Sequence, residues 1–107
     1  MTKSEVLAVC DELARLVTAG PVKDAKKAAR AAELIEALRS VPGLGQLART
    51  TLVDIATRSE IHFSSSKGFQ GVKPEAQRAH LKSDVEALRG RLEEELSEEA
   101  DYGEARP

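Results

Sequence analysis

The sequence predicts an all-α protein, a small bundle of about four helices with a flexible Gly/Ser loop and an acidic C-terminal tail. Apolar residues recur at helical spacing in four segments, and Pro and Gly residues separate these segments. A chain of 107 residues with 41% hydrophobic and 32% charged side chains suits one small domain around one core. We expect residues 1–97 to form the bundle and residues 98–107 to be a disordered acidic tail, because this end of the chain is too charged to pack.

The first helix opens with Thr2 and Glu5, which have the spacing of a capping box. Gly20 and Pro21 stop it, because glycine favours the left-handed C-cap and proline cannot continue the hydrogen-bond ladder. Between these signals lies an apolar stripe made of Val6, Val9, Cys10, Leu13, Leu16 and Val17. As the only cysteine of the chain, Cys10 cannot form an internal disulfide, and we interpret it as a small core residue.

The second helix is predicted from about Pro21 to Ser40, with Pro42 and Gly43 ending it. It is rich in alanine, which has the highest helix propensity: Ala25, Ala28, Ala29, Ala31 and Ala32. A face lined by alanine lets a neighbouring helix come close, so we expect this helix to lie centrally in the bundle.

The third helix should begin between Leu44 and Gln46 and fade near Ser59 to Ile61. Its apolar residues are Leu47, Ala48, Thr51, Leu52, Ile55 and Ala56. A Gly- and Ser-rich segment follows over residues 62–74, so all three aromatic residues of the chain are expected outside the helices: Phe63, Phe69 and Tyr102. Large aromatic side chains on a loop cover the core or contact a partner, and we count Phe63 and Phe69 as candidate partner-binding residues.

The fourth helix is predicted from Pro74 to about Ser97, with a narrow apolar stripe at intervals of 4, 3, 4 and 4 residues. The stripe consists of Leu81, Val85, Leu88, Leu92 and Leu96. Because its other faces are charged, this helix is typical of a bundle surface or of a coiled coil with another chain. A coiled coil with another chain would give an alternative function, that of a small helical inhibitor, an antitoxin-like protein or a self-associating scaffold. The sequence leaves monomer and homodimer open.

No arrangement typical of catalysis or metal binding is visible. His62 and His80 have no partner at ligand spacing, and the serines at 64–66 lack the context of a nucleophile. We therefore expect no enzyme activity, no cofactor and no metal site. The first residues lack the apolar region of a signal peptide, and no run is long enough to span a membrane, so we expect an intracellular, soluble protein.

The charge is unevenly distributed along the chain. Residues 93–107 hold seven acidic side chains and one basic, whereas residues 1–92 hold fifteen basic and eleven acidic. Four cations share one face of the first two turns of the second helix: Lys23, Lys26, Lys27 and Arg30. Cations there oppose the helix dipole, so this face either is simply solvated or attracts an anion such as a phosphate, an acidic peptide or the chain's own tail. The absence of a full basic stripe argues against nucleic-acid binding.

Three runs together resemble a known family: VLAVCDELARL, then VTAGPVKDAKKAARAAELIEALRSV, then LGQLARTTLVDIATRSEI. They are similar to the helical N-terminal domain of transcription elongation factor S-II, a fold shared with the integrase-binding domain of lens-epithelium-derived growth factor. The shared features are a helix ending in the pair Leu38 and Arg39, a Gly-containing loop, and a Leu-Ala-basic step at residues 47–49. The resemblance covers about residues 4–61.

The resemblance implies a docking domain for short disordered motifs that carry acidic and aromatic residues, in the nucleus and among transcription or chromatin factors. Leu44 matches a hydrophobic contact position of the family, and the four cations would suit the acids of a motif. We therefore predict a non-catalytic protein interaction module that docks acidic-hydrophobic peptides, in the cytoplasm if the resemblance does not hold. The candidate binding residues are Lys23, Lys26, Lys27, Arg30, Leu44, Phe63 and Phe69.

Overall fold

A computed structural model describes residues 2–18, 24–64 and 74–98 of the chain. These residues form four α-helices and no strand, which confirms the predicted all-α class. The helices are α1 (Lys3–Thr18), α2 (Ala25–Arg39), α3 (Gln46–Ser64) and α4 (Pro74–Glu95). The predicted Gly/Ser loop falls almost entirely at residues 65–73 and most of the predicted tail at residues 99–107, which lie outside the described residues.

The four helices pack as a closed ring, in which α1 and α3 each contact both α2 and α4. Neighbouring helices run antiparallel. The amide of Asp24, before α2, donates to the carbonyl of Phe63 near the end of α3 at 3.1 Å. The amide of Gly45, before α3, donates to the carboxylate of Glu95 at the end of α4, also at 3.1 Å. The expectation that the second helix lies centrally is wrong, because each helix occupies one corner of the ring.

The capping box predicted for α1 is present. The amide of Thr2 donates to Oε1 of Glu5 at 2.7 Å, and the amide of Glu5 donates to Oγ1 of Thr2 at 3.3 Å. The two bonds satisfy amide groups that have no partner within the helix. Helix α1 then buries Val6, Cys10, Leu13 and Val17.

Helix α2 begins at Ala25 rather than near Pro21. Asp24 is its N-cap residue, and its Oδ1 accepts from the amides of Lys26 at 3.0 Å and Lys27 at 3.1 Å. The carboxylate sets the start of the helix because it satisfies two amides and carries the charge that the positive end of the helix dipole favours. The predicted roles of Gly20 and Pro21 lie outside the described residues.

The turn between α2 and α3 is held by its own side chains. Gly43 has φ +80°, a left-handed conformation that glycine adopts without steric cost. Val41 and Leu44 on either side of it are buried, at 1% and 6% exposure. The turn therefore anchors into the core at two points, and it fixes the beginning of α3.

Helix α3 continues past the predicted end to Ser64, and this corrects the placement of Phe63. Ser59, His62 and Phe63 follow at helical spacing and are all buried, with Phe63 only 2% exposed. The ring of Phe63 meets that of His62 edge to face, with centroids 5.0 Å apart. Phe63 is thus a core residue in a helix, not a loop residue that faces a partner, whereas Phe69 lies outside the described residues.

The apolar stripe of α4 is buried inside the bundle. Its first four residues have 0% exposure and Leu96 has 7%: Leu81, Val85, Leu88, Leu92 and Leu96. Helices α1 and α3 cover this stripe, because the ring closes on α4 from both sides. The proposed use of the stripe for self-association is therefore wrong in this fold, since no apolar seam of α4 is left for a second chain.

Two buried polar atoms of the α3–α4 pair have no hydrogen-bond partner within the described part of the chain, Nδ1 of His62 and Nε2 of Gln77. Burial, together with the positive charge of Arg78, lowers the pKa of His62. The bundle therefore holds this imidazole in its neutral form.

We predict that Leu88→Ala lowers the free energy of unfolding by about 2–5 kcal/mol, because it removes a fully buried side chain and leaves a cavity. Urea unfolding followed by circular dichroism measures this. The matched control is Leu47→Ala on α3, which is 56% exposed and should change the free energy by less than about 0.5 kcal/mol. Equal effects of the two substitutions would contradict the burial of the α4 stripe.

We also predict that stability decreases in acid through His62. Its folded pKa lies below the value of ~6.5 expected in the unfolded chain, so the unfolded state binds the proton first. The contribution is fully present above ~pH 6.5 and is lost as the pH falls toward the folded pKa. In His62→Leu this slope between pH 7 and 5 should flatten relative to that of the original chain, as followed by urea unfolding at each pH. An unchanged slope in His62→Leu would overturn the assignment.

Candidate functional site

One member of the predicted basic cluster, Arg30, is neutralised by carboxylates that the sequence did not reveal. The guanidinium of Arg30 holds Glu12 of α1 through two bonds, Nε to Oε2 at 2.8 Å and Nη2 to Oε1 at 2.9 Å. Its Nη1 also donates to Glu33, one turn further along α2, at 2.9 Å. These hydrogen bonds raise the pKa of Arg30 and lower the pKa of Glu12. Arg30 therefore joins α1 to α2 and is not an open anion site.

The other cations of this cluster do not form a shared site either. Lys26 is exposed and Lys27 half-buried, and their amides already donate to Asp24. Lys23 lies outside the described residues. The N-terminus of α2 thus uses its own aspartate as the anion.

An open groove of about 500 Å³ runs between α2 and α3 on the outside of the bundle. Its walls are mostly apolar and its side chains small, with four alanines among the nine lining residues. Ala29 and Ala32 are exposed, so the alanine-rich face of α2 is turned partly to this groove and not to a central position. The lining residues are Ala28, Ala29, Ala32, Ile35, Glu36, Arg39, Ala56, Ser59 and Glu60.

A smaller notch of about 180 Å³ adjoins the groove and shares Arg39 with it. Leu44 and Leu52 form its floor, with 6% and 1% exposure, and Val53 forms an exposed apolar edge at 58%. Arg39 and Arg49 complete the lining, and both are exposed. The notch is therefore a small apolar pocket between two cations.

The two arginines are held differently. Nε of Arg49 donates to the carbonyl of Leu44 at 3.1 Å. This bond ties the α2–α3 turn to the first turn of helix α3, and the Arg49 side chain lines the notch. Arg39 has no ion-pair partner among the residues that the structure describes. No carboxylate of residues 2–18, 24–64 and 74–98 lines the notch, although Glu36 and Glu60 line the adjoining groove with Arg39. Two positive charges thus stand beside the apolar surface of the notch.

The charge changes sign along the groove. Arg49 lines the notch, Arg39 lines both the notch and the larger groove, and Glu36 and Glu60 line the larger groove. A chain lying along this surface would meet positive charge at the notch and negative charge beyond it. The surface therefore has a direction, which a peptide with the opposite order of charges would match.

The structure brings Leu44 to this notch, together with arginines that the sequence analysis had not selected. Arg39 and Arg49 stand on either side of the Pro-Gly turn, each one position after an apolar helix residue. That pattern was visible in the sequence as the Leu-Arg pair and the Leu-Ala-basic step. The two arginines come together because α2 and α3 pack antiparallel. The spacing of residues along the sequence does not predict this packing.

Cys10 carries no reactive chemistry in this fold. It is fully buried, and burial is the main cause that raises its pKa to about 12. Arg89, which could have stabilised a thiolate, instead binds Asp11 through Nε to Oδ1 at 2.7 Å. The thiol is therefore a packing group.

Residues 2–18, 24–64 and 74–98 contain neither a metal site nor a membrane-spanning helix. No group of three or more His, Cys, Asp or Glu side chains there could hold a metal ion. None of the helices in these ranges combines the length and the apolar content needed to cross a membrane.

Comparison with known proteins gives no relative: no family model, no curated protein and no solved structure matches the chain. The similarity to the S-II domain stays a prediction based on the residues that carry it.

We predict that Cys10 resists alkylation in the folded protein at pH 8, because its thiol is buried and its pKa is raised to about 12. In 8 M urea the same thiol should react at the rate of an ordinary cysteine. Mass spectrometry after a pulse of iodoacetamide measures both states, and rapid labelling of the folded chain would contradict the burial.

Proposed function

We propose that this protein binds short peptides in which one large apolar or aromatic residue stands beside two or more acidic residues. The observation that carries the proposal is the notch, an apolar floor of Leu44 and Leu52 between Arg39 and Arg49. The apolar side chain enters the notch and the acidic side chains meet Arg39 and Arg49. The alanine-lined groove receives the remainder of the peptide.

The notch has room for one aromatic ring or one branched apolar side chain of a bound peptide. Its volume is about 180 Å³ and it is open to solvent on one side, so a side chain that enters it is buried only in part. A buried aromatic side chain removes ~150–250 Å² from water, and most of that gain is offset by the loss of motion on binding. We expect a dissociation constant on the order of 10–100 µM for a short motif.

The charges favour peptides with acids at one end only. Carboxylates gain charge-assisted hydrogen bonds beside Arg39 and Arg49. Further along the groove, Glu36 and Glu60 repel acids and favour neutral or basic residues. The site thus selects for the order of charges in the motif as well as for its net charge.

The resemblance to the S-II domain supports the same kind of ligand, because it implies docking of acidic and aromatic motifs with Leu44 as a contact. Under that resemblance, the partners are disordered segments of transcription or chromatin factors and the protein works in the nucleus. Without it, the same notch serves a cytoplasmic partner.

We predict that a fluorescent twelve-residue peptide with one Phe flanked by two Glu residues binds the full chain, as measured by fluorescence anisotropy. Arg39→Gln should weaken this binding about fivefold or more, because it removes a charge that bonds a carboxylate. The matched control is Lys26→Gln, an equal loss of charge away from the notch, which should change binding less than twofold.

A second pair of variants tests the apolar contact. Val53→Asp places a carboxylate at the edge of the notch and should abolish measurable binding, whereas Leu47→Asp changes an equally exposed residue of α3 that does not line it. A peptide with Gln in place of both Glu residues should bind at least fivefold more weakly. If the Gln peptide binds equally well, or if both Asp variants act alike, the proposed site is wrong.

A further inference from the structure

The groove between α2 and α3 is lined by small side chains on both helices. Ala29 and Ala32 of α2 are exposed there, and Ala56 of α3 is half-buried. Ile35, at 5% exposure, adds a nearly buried apolar contact to the lining. Because an alanine side chain is a single methyl group, a helix of another protein can lie close to the backbones of both α2 and α3.

An extended peptide would find few hydrogen-bond partners for its backbone in this groove. Helices α2 and α3 use their amides and carbonyls within themselves, and alanine side chains have no polar atoms. The hydroxyl of Ser59, which lines the groove, already donates to the carbonyl of Ala56 at 3.2 Å. A bound helix forms its backbone hydrogen bonds internally, so the groove favours a helical ligand over an extended one.

The positions of the charged residues set the spacing of charges in the ligand. Arg49, at the notch, precedes Glu60 by eleven residues on α3, which corresponds to about 16 Å along the helix axis. A helical ligand covers this distance with about eleven residues, whereas an extended chain needs about five. A helix with its acids beside Arg39 and Arg49 therefore places a base beside Glu60 about three turns later.

We propose that the groove binds one amphipathic α-helix of a partner protein, about three turns long, which continues from the acidic-aromatic motif in the notch. This inference rests on the proposed function and adds the conformation and the charge spacing of its ligand. One face of the ligand helix carries small or apolar residues at intervals of three and four, which contact the alanines of the groove. Its basic residues lie about eleven positions from its acids, beside Glu60.

The test adds two capped sixteen-residue peptides of equal composition to the full chain. Both begin with a Phe between two Glu residues, since acids stabilise the first turn of a helix, and continue mainly with alanine. Two Lys residues stand about eleven positions after the Phe in the far-base peptide and about five in the near-base peptide. On binding, the carbon chemical shifts of labelled alanines in the far-base peptide should become helical. A proline in its middle should weaken its binding about fivefold or more, as measured by fluorescence anisotropy.

Glu60→Gln distinguishes the two conformations, because each peptide reaches Glu60 in only one of them. This variant should weaken binding of the far-base peptide about threefold and change binding of the near-base peptide less than twofold. The matched control is Glu86→Gln, which removes an equal charge from an exposed position of α4 away from the groove and should affect neither peptide. Circular dichroism of each variant verifies the helical fold.

The outcomes separate this inference from the proposed function. If Glu60→Gln weakens only the near-base peptide, or if the proline has no effect, the ligand is not helical and the inference is overturned, although the notch remains a peptide site. If the far-base peptide binds as a helix but Arg39→Gln and Val53→Asp leave its affinity unchanged, the helix groove holds and the proposed notch is wrong. If neither peptide binds, both proposals are wrong. If the full chain is a dimer that Ala32→Leu dissociates, a second copy occupies the groove and the inference is overturned.

Discussion

The four helices bury their apolar stripes by packing against one another. This shared core is the constraint on which the rest of the structure depends. Each helix buries its stripe between two neighbouring helices, and the ring supplies both. The core consists of aliphatic residues and one aromatic, Phe63. The rotation of each helix in the ring also decides which side chains lie outside this core, among them Ala29 and Ala32 of α2 and the arginines at the notch.

Local signals predicted the helices well, because they act within one or two turns. The capping box of α1, the alanine-rich α2 and the leucine stripe of α4 depend on neighbours three or four residues away. The start of α2 was predicted too early because Pro21 was preferred over Asp24 as the boundary. Asp24 was the stronger signal, since a carboxylate that accepts two amides stabilises a helix start more directly than a proline that merely tolerates it.

The misplaced features are those that depend on packing between helices. Phe63 was assigned to a loop because Ser and His residues dilute the apolar pattern before it, yet burial against the neighbouring helices extends α3 to Ser64. The basic cluster looked open because Glu12, the partner of Arg30, is eighteen residues away on α1. The notch was missed for the same reason: its residues come from two helices and a turn, and only the fold places them together.

The closed ring also brings the two ends of the described bundle side by side. Thr2 and Lys3 at the start of α1 line one shallow groove with Glu93 and Glu98 at the end of α4. A bundle with adjacent ends can be joined head to tail by a short linker, or inserted into a surface loop of another protein, without disturbing its core. The notch lies at the turn between α2 and α3, at the same end of the bundle as both of these ends, so such an insertion would place the binding surface beside the host's loop.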